Sequence, residues 1–145
     1  MQVCDAMTRE VRTIGPDASL SDAARTMIES DVGLLPVAEG EHLVGMISDR
    51  DIAVRGVAKG LKPDAKVGEV MSHEVLYCFA DEDVEEVCRN MAQNQVRRLP
   101  VLDRDKRLVG IVTLSELAQN SSLKAAGEAL GAIGQPGGET SQTLT

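Results

Sequence analysis

Two pairs of side chains in this sequence combine a hydroxyl with a carboxylate at the same spacing. Ser48 precedes Asp51 by three residues, and Thr113 precedes Glu116 by three. At the start of a helix this spacing forms a capping box, which contributes about 1 kcal/mol of stability. A carboxylate on a first helical turn that faces a cleft can also accept both hydroxyls of a ribose diol. The pattern is therefore compatible with a cap alone and with a cap that also binds a sugar.

A pair of arginines is the second feature that could bind a ligand. Arg97 and Arg98 precede a Leu-Pro dipeptide, whereas Gly33 and Leu34 occupy the matching place earlier in the chain. Arginines on a surface loop are commonly only solvated, but their planar guanidinium groups also suit phosphate. Because the net charge is −8 at pH 7, any anion site must be local.

The composition argues against nucleic acid as a partner. The chain has 145 residues, of which 43% are hydrophobic, as expected for one domain or two very small ones. Tyr77 and Phe79 are its only aromatic residues, so it lacks the stacking platforms that single-stranded nucleic acid requires. The acidic net charge also repels polyanions on average.

No pattern in the sequence indicates secretion, a membrane span, a metal site or a catalyst. The three cysteines form no C-x-x-C pair and leave one thiol over in any disulfide scheme, which is typical of a reducing compartment. The N-terminus lacks a signal-peptide pattern, and no apolar run approaches the roughly 20 residues of a membrane span. His42 and His73 lie far apart, without ligand spacing to the cysteines, and nothing resembles a catalytic triad. We expect a cytoplasmic protein with no enzyme activity, no membrane contact and no metal.

An internal duplication organises the chain. When the sequence is shifted by 64 positions, residues 3–37 align with 67–101 and share 11 identities in 35 positions, too many for chance. One extra residue in the second copy then changes the shift to 65, which aligns Leu43-Val-Gly with Leu108-Val-Gly.

Each copy is predicted to form the elements β-α-β-β-α. An extended run at 11–14 or 75–79 precedes an amphipathic helix, because apolar residues recur at i, i+3, i+4 and i+7. Strands follow at 35–37 and 43–47 or at 99–101 and 108–112, and a last helix starts at Ser48 or Thr113. The apolar helix positions are Leu20, Ala23, Ala24 and Met27 in the first copy and Val84, Val87, Cys88 and Met91 in the second.

The duplication also sets the expected domains. Residues 1–60 form the first repeat with the start of a linker, and residues 61–121 form the second. Residues 122–145 are expected to form a short helix, with Leu123, Ala126 and Leu130 on one apolar face, and then a disordered tail rich in Gly, Ser and Thr. Because about 50 residues are marginal alone, we expect an α/β (α+β) fold whose repeats pack sheet to sheet as one pseudo-two-fold module.

Several repeated motifs carry a family resemblance. They are the duplication itself, the two Leu-Pro-Val strands, Gly-Met-Ile-Ser-Asp-Arg-Asp at 45–51 and Gly-Ile-Val-Thr-Leu-Ser-Glu at 110–116. The chain resembles a tandem pair of CBS (cystathionine-β-synthase-type) domains, an arrangement called a Bateman module. The resemblance implies a regulatory module that binds an adenosine-containing molecule in clefts between the repeats, and it implies a homodimer.

The resemblance also assigns roles to the hydroxyl and carboxylate residues. Asp51 matches the family's ribose-binding Asp, and Ser48 matches its hydroxyl partner. Thr113 and Glu116 match the same motif with one departure, Glu in place of Asp. The longer side chain moves the second carboxylate, so we expect binding to depend more on Asp51.

Further ligand contacts are expected from other positions. Arg97 and Arg98 match basic residues that contact nucleotide phosphates, which implies that a cleft combining them with Asp51 prefers phosphorylated ligands. Additional contacts to base or phosphate are expected from Thr13, Ile14, Leu35, Pro36, Arg50, Tyr77, Leu99 and Pro100.

Two functions remain open at this point. The first is a non-enzymatic sensor whose ligand is AMP, ADP, ATP, NAD or S-adenosylmethionine and which acts on an unidentified regulated protein. The second is a structural or protein-interaction module with vestigial clefts, which is favoured by Glu116 and by the uncharged Gly33 and Leu34.

Overall fold

The computed structural model describes residues 1–120 and 123–134. The predicted tail therefore lies largely outside the described residues, at 135–145. In chain order the α-helices and β-strands are α1 (Leu20–Ser30), β1 (Leu34–Glu39), β2 (His42–Ser48), α2 (Asp49–Asp51), β3 (Cys78–Phe79), α3 (Val84–Asn94), β4 (Arg98–Leu102), β5 (Leu108–Thr113), α4 (Leu114–Asn120) and α5 (Leu123–Ile133). A π-helical turn, Ile52–Gly56, continues α2.

The described chain forms two compact units with exchanged first segments. Arg12–Val75 makes up one, which we call the first-repeat unit. Met1–Val11 folds together with the described residues from Leu76 to 134, and we call this the second-repeat unit. The opening residues of each repeat thus belong to the unit that contains the body of the other. The sequence repeat, with boundaries at 1–60 and 61–121, gives no sign of this exchange.

The first-repeat unit is built on the antiparallel pair β1 and β2, in register from Leu34 opposite Ser48 to Glu39 opposite His42. The strand predicted at 11–14 is reduced to a single parallel bridge between Ile14 and Val37. Ser19 is the N-cap of helix α1, because its side chain accepts a hydrogen bond from the Asp22 backbone at 3.0 Å. Its apolar face completes the core, which comprises Leu20, Ala23, Met27, Leu35, Val37, Ile47, Val67, Val70 and Met71.

The second-repeat unit contains the sheet β3-β4-β5, with β3 parallel and β5 antiparallel to β4. Helix α5, the short helix expected after the second repeat, packs against α3 and α4 and ends at Ile133. Ala129 and Ile133 are buried in the core, whereas Leu130 is 52% exposed. The prediction that Leu130 forms part of the packing face was therefore wrong, because the face turned toward α3 carries the i, i+4 pair 129 and 133 instead.

A close backbone crossing joins the exchanged segment to the last strand of each unit. Met46 and Ser72 exchange backbone hydrogen bonds of 3.0 and 2.8 Å, and Thr8 and Ile111 exchange bonds of 2.9 and 3.0 Å. A Cβ added at the neighbouring glycine, Gly45, would lie 2.8 Å from the Ser72 carbonyl oxygen. A Cβ at Gly110 would meet the Thr8 oxygen at the same distance. Only glycine fits this crossing without displacing backbone.

Replacing Gly45 by alanine is expected to destabilise the first-repeat unit. The added methyl group meets a backbone carbonyl and the Met71 sulfur, and such overpacking typically costs about 1–3 kcal/mol. Urea unfolding followed by circular dichroism measures the loss. Gly15→Ala is the matched control, because no atom lies within 4 Å of a Cβ built there. Equal midpoints for the two variants would contradict this account of the crossing.

Candidate functional site

Ser48 and Asp51 form a buried capping box at the junction of β2 and α2. The Asp51 backbone donates to the Ser48 hydroxyl at 3.0 Å, and the Ser48 backbone donates to Asp51 Oδ2 at 2.9 Å. Ser48 is fully buried and Asp51 is 7% exposed. The turn is fastened to the start of β1 because the Asp49 backbone donates to the Gly33 carbonyl at 2.9 Å. The capping role expected from the spacing is thus present.

The second carboxylate oxygen of Asp51 is placed differently. Among the residues that the structure describes, none donates a hydrogen bond to Oδ1, and Arg55 Nε lies 3.9 Å away. The Arg55 guanidinium is held there by weak hydrogen bonds to the Val70 carbonyl at 3.3 Å and the Ser72 hydroxyl at 3.4 Å. The site thus combines an accessible oxygen of a largely buried carboxylate, which can accept ligand hydroxyls, with a cation beside it.

Thr113 and Glu116 form the corresponding turn between β5 and α4. Oε1 of Glu116 accepts from both the backbone and the hydroxyl of Thr113 at 3.0 Å, and the Glu116 backbone donates to that hydroxyl at 3.1 Å. Oε2 accepts a hydrogen bond of 2.9 Å from the Thr8 hydroxyl. Thr8 was not predicted from the sequence. Its signal lies in the repeat, because the shift of 64 places it opposite Ser72 in the other unit.

The arginine pair lies beside the Glu116 turn within the second-repeat unit. Arg98 pairs with Thr113 in the β4–β5 register, and the Arg97 carbonyl accepts from the Leu114 backbone at 2.8 Å. Arg97 is exposed and Arg98 is half-buried. In the first-repeat unit, Leu34 is the residue opposite Ser48. The charge asymmetry expected from the sequence is therefore built into equivalent positions of the two units.

Tyr77, one of the predicted ligand contacts, packs against a cluster of Phe79, Arg104 and Asp81. The Arg104 guanidinium binds the Asp81 carboxylate through two hydrogen bonds of 2.7 and 2.9 Å and lies 4.1 Å from the centre of the Phe79 ring. Phe79 packs edge to face with Tyr77, with ring centres 5.5 Å apart. The hydrogen bond from Arg104 lowers the pKa of Asp81. The contact between Arg104 and Phe79 was not predicted from the sequence.

The remaining predicted contacts differ in what they can offer a ligand. Leu35 and Leu99 are core side chains, each 1% exposed, so a ligand contact there would be confined to backbone atoms. Pro36 and Pro100 are also buried, Ile14 is half-buried, and Thr13 and Arg50 are exposed. Ile14 lies beside Pro36, because its backbone donates to the Pro36 carbonyl at 3.1 Å.

The cysteines and histidines form no cluster in the described part of the chain. No group of three or more His, Cys, Asp or Glu side chains suitable for a metal ion occurs there. His42 and His73, which the repeat assigned to different copies, both lie exposed in the first-repeat unit. Burial, with a contribution from Glu82, raises the pKa of the Cys78 thiol to about 12, so at neutral pH that thiol is protonated. None of the described helices is long and apolar enough to cross a membrane.

Two units, each with an amphipathic helix, an antiparallel hairpin and a hydroxyl–carboxylate turn after the hairpin, define a tandem-repeat class of protein. The CBS domain family matches this chain twice, at residues 3–56 and 67–122. The chain belongs to the CBS domain family, and the tandem CBS fold predicted from the sequence is confirmed.

Two relatives align in sequence with most of this chain. CBS domain-containing protein YhcV of Bacillus subtilis is 43% identical over 129 residues, which is 88% of this chain and 91% of that protein. Hypoxic response protein 1 of Mycobacterium tuberculosis is 39% identical over 118 residues, which is 80% of this chain and 82% of that protein.

Solved structures of this fold include complexes with adenosine compounds. CBSX2 in complex with AMP has a TM-score of 0.71 at 29% identity and covers 81% of this chain and 93% of its own. The CBS domain pair of protein MJ0100, in complex with 5′-methylthioadenosine and S-adenosyl-L-methionine, has a TM-score of 0.71 at 29% identity and covers 82% and 94%. Adenosine-ligand binding thus occurs among proteins similar to this one.

One comparison corrects the expectation that no metal is involved. The structure of Hypoxic Response Protein I, with a TM-score of 0.76 and 37% identity over 84% of this chain and 100% of its own, contains two coordinated zinc ions. The expectation was wrong, because it relied on the sequence spacing of His42, His73 and the cysteines. Metal ligands need only be neighbours in space, so their separation along a chain does not exclude a metal site.

Proposed function

We propose that this protein is a non-enzymatic regulatory module that binds an adenosine-containing ligand through Asp51. The observation that carries the proposal is the buried Asp51 carboxylate, with Oδ2 bound in the capping box and Oδ1 without a hydrogen-bond donor among the described residues. Ser30 Oγ is the one fully buried polar side-chain atom without a partner in the described chain, so Oδ1 reaches the surface, where ligand hydroxyls can donate to it. The hydroxyls of a ribose would supply the missing donors.

Charge beside the two turns favours a phosphorylated ligand. Arg55 lies next to Asp51, and Arg97 and Arg98 lie next to Thr113 in the other unit. Guanidinium groups bind phosphate oxygens through parallel hydrogen bonds. AMP, which is bound by CBSX2, combines the diol and the phosphate that Asp51 and the neighbouring Arg55 would recognise. ADP, ATP, NAD and S-adenosylmethionine share its adenosine part.

A second function is favoured by the Glu116 turn. Its carboxylate is already occupied by Thr113 and Thr8, as expected for a site that has become structural. If the Asp51 turn were also only structural, the protein would act as a protein-interaction module. Calorimetric titration with AMP, ADP, ATP, NAD and S-adenosylmethionine separates the two functions, because an interaction module would bind none of them.

We also propose that the protein forms a homodimer. In the first-repeat unit the side chains of Ile28 and Val57 are 81% and 70% exposed, and Val54 is 46% exposed. Apolar side chains left in water at this level favour burial against another molecule, and a second copy is the partner that the family resemblance implies.

Replacing Asp51 by asparagine is expected to weaken AMP binding about 10- to 150-fold, the worth of a hydrogen bond to a charged group. The amide oxygen can still accept from the Ser48 backbone, so the thermal midpoint should change little. Isothermal titration calorimetry and thermal unfolding on the same preparation measure both quantities. Asp49→Asn is the control, because it removes the same charge from an exposed position of the same turn. Unchanged affinity in Asp51→Asn would leave only the capping role.

Replacing Arg97 and Arg98 together by alanine is expected to weaken AMP and ATP binding and to flatten its salt dependence, while adenosine binding stays nearly level. Exposed phosphate contacts are screened by salt, whereas buried diol contacts are screened less. Titrations at low and high salt with all three ligands test this. Equal losses for adenosine and ATP would show that the pair supports the fold rather than phosphate binding.

Light scattering at micromolar concentration is expected to give twice the chain mass of 15.5 kDa. Replacing the exposed Val57 by glutamate should shift the mass toward the monomer, because a charge would be buried at the contact. A monomer mass for the unmodified protein would remove the dimer proposal.

A further inference from the structure

The carboxylates of the two equivalent turns are occupied in different ways. Both oxygens of Glu116 accept hydrogen bonds from side chains of the protein itself, Oε1 from Thr113 and Oε2 from Thr8. In the first-repeat unit the residue equivalent to Thr8 is Ser72, and its hydroxyl accepts from Arg55 rather than donating to Asp51. Only the glutamate turn is therefore closed by a hydroxyl from the exchanged segment.

The Thr8 hydroxyl is held firmly at this position. Its backbone exchanges hydrogen bonds of 2.9 and 3.0 Å with Ile111 on β5, the strand that ends at Thr113. The hydroxyl then reaches Oε2 at 2.9 Å. The longer glutamate side chain brings the carboxylate oxygen within reach of this residue. A hydroxyl donor fixed beside a carboxylate offers the same contact that a sugar hydroxyl would make.

We infer that Thr8 restricts ligand binding to the Asp51 turn, because its hydroxyl occupies the Glu116 carboxylate and closes it to ligand hydroxyls. This inference rests on the proposed function at Asp51. If Asp51 binds adenosine and Glu116 does not, each chain binds one adenosine ligand rather than two. A hydroxyl of a ligand at Glu116 must compete with the Thr8 hydroxyl for Oε2, which weakens its binding by about 10-fold or more.

The test compares Thr8→Ala with Thr8→Ser, using adenosine as the probe in calorimetric titrations. Both variants lose the γ-methyl group, so the hydroxyl is the difference between them. Thr8→Ala is expected to gain a second site per chain, and Thr8→Ser is expected to keep one, as the unmodified protein does. The gained site should disappear in Thr8→Ala with Glu116→Gln and persist in Thr8→Ala with Asp51→Asn.

A second variant changes the glutamate in the same contact instead of the threonine. Glu116→Asp shortens the carboxylate and withdraws it from Thr8, which reproduces the arrangement at Asp51. This variant is also expected to gain a site, and it keeps the test decisive if Thr8→Ala proves unstable. Thermal unfolding confirms that each variant is folded before it is titrated.

The outcomes separate this inference from the proposed function. If the unmodified protein binds no adenosine but Thr8→Ala gains a site that Glu116→Gln removes, the function at Asp51 fails and the inference stands. If neither Thr8→Ala nor Glu116→Asp gains a site, the inference is overturned, whatever happens at Asp51. It is equally overturned if the unmodified protein binds two ligands and Glu116→Gln removes one.

Discussion

The backbone crossing at Gly45 and Gly110 is the constraint on which both turns depend. A side chain at either position would collide with the carbonyl oxygen of Ser72 or Thr8. With glycine, the exchanged segment hydrogen-bonds to the strand just before its hydroxyl–carboxylate turn. The crossing therefore fixes the strand that delivers Ser48 or Thr113, and in the second-repeat unit it also brings Thr8 to Glu116.

The parts of the fold that depend on local patterns could be predicted from the sequence. The periodicity of α1 and α3 and the spacing of Ser48 and Asp51 report interactions within a few residues, so the helices and the capping box were found. The hairpins could be predicted because both copies of the duplication contain the same pair of strand patterns. The exchange of the first segments and the Thr8–Glu116 contact could not be predicted, because they join residues far apart in the chain and leave no periodic signal. The face of α5 was misjudged for a related reason, since Ala129 and Leu130 are distinguished only by what packs against them.

Small chemical differences make the two copies unequal. Glu116 is one methylene longer than Asp51, and Thr8 stands where the other copy has Ser72. Together these changes turn an available carboxylate oxygen into an occupied one. Helix α5 adds a difference of another kind, because it covers the α3 face of the second-repeat unit, whereas Ile28 on the equivalent helix α1 is exposed.

The exchange of first segments also sets an order of events during protein synthesis. The first-repeat unit is contiguous from Arg12 to Val75, so it can fold as soon as that stretch has left the ribosome. Met1–Val11 has no such partner at that time, because Thr8 and Glu116 are separated by 108 residues. At about 5–20 residues per second, the first segment waits roughly 5–20 s for its strand. Met1–Val11 is thus made before the first-repeat unit but takes its place beside β5 only after that unit is complete.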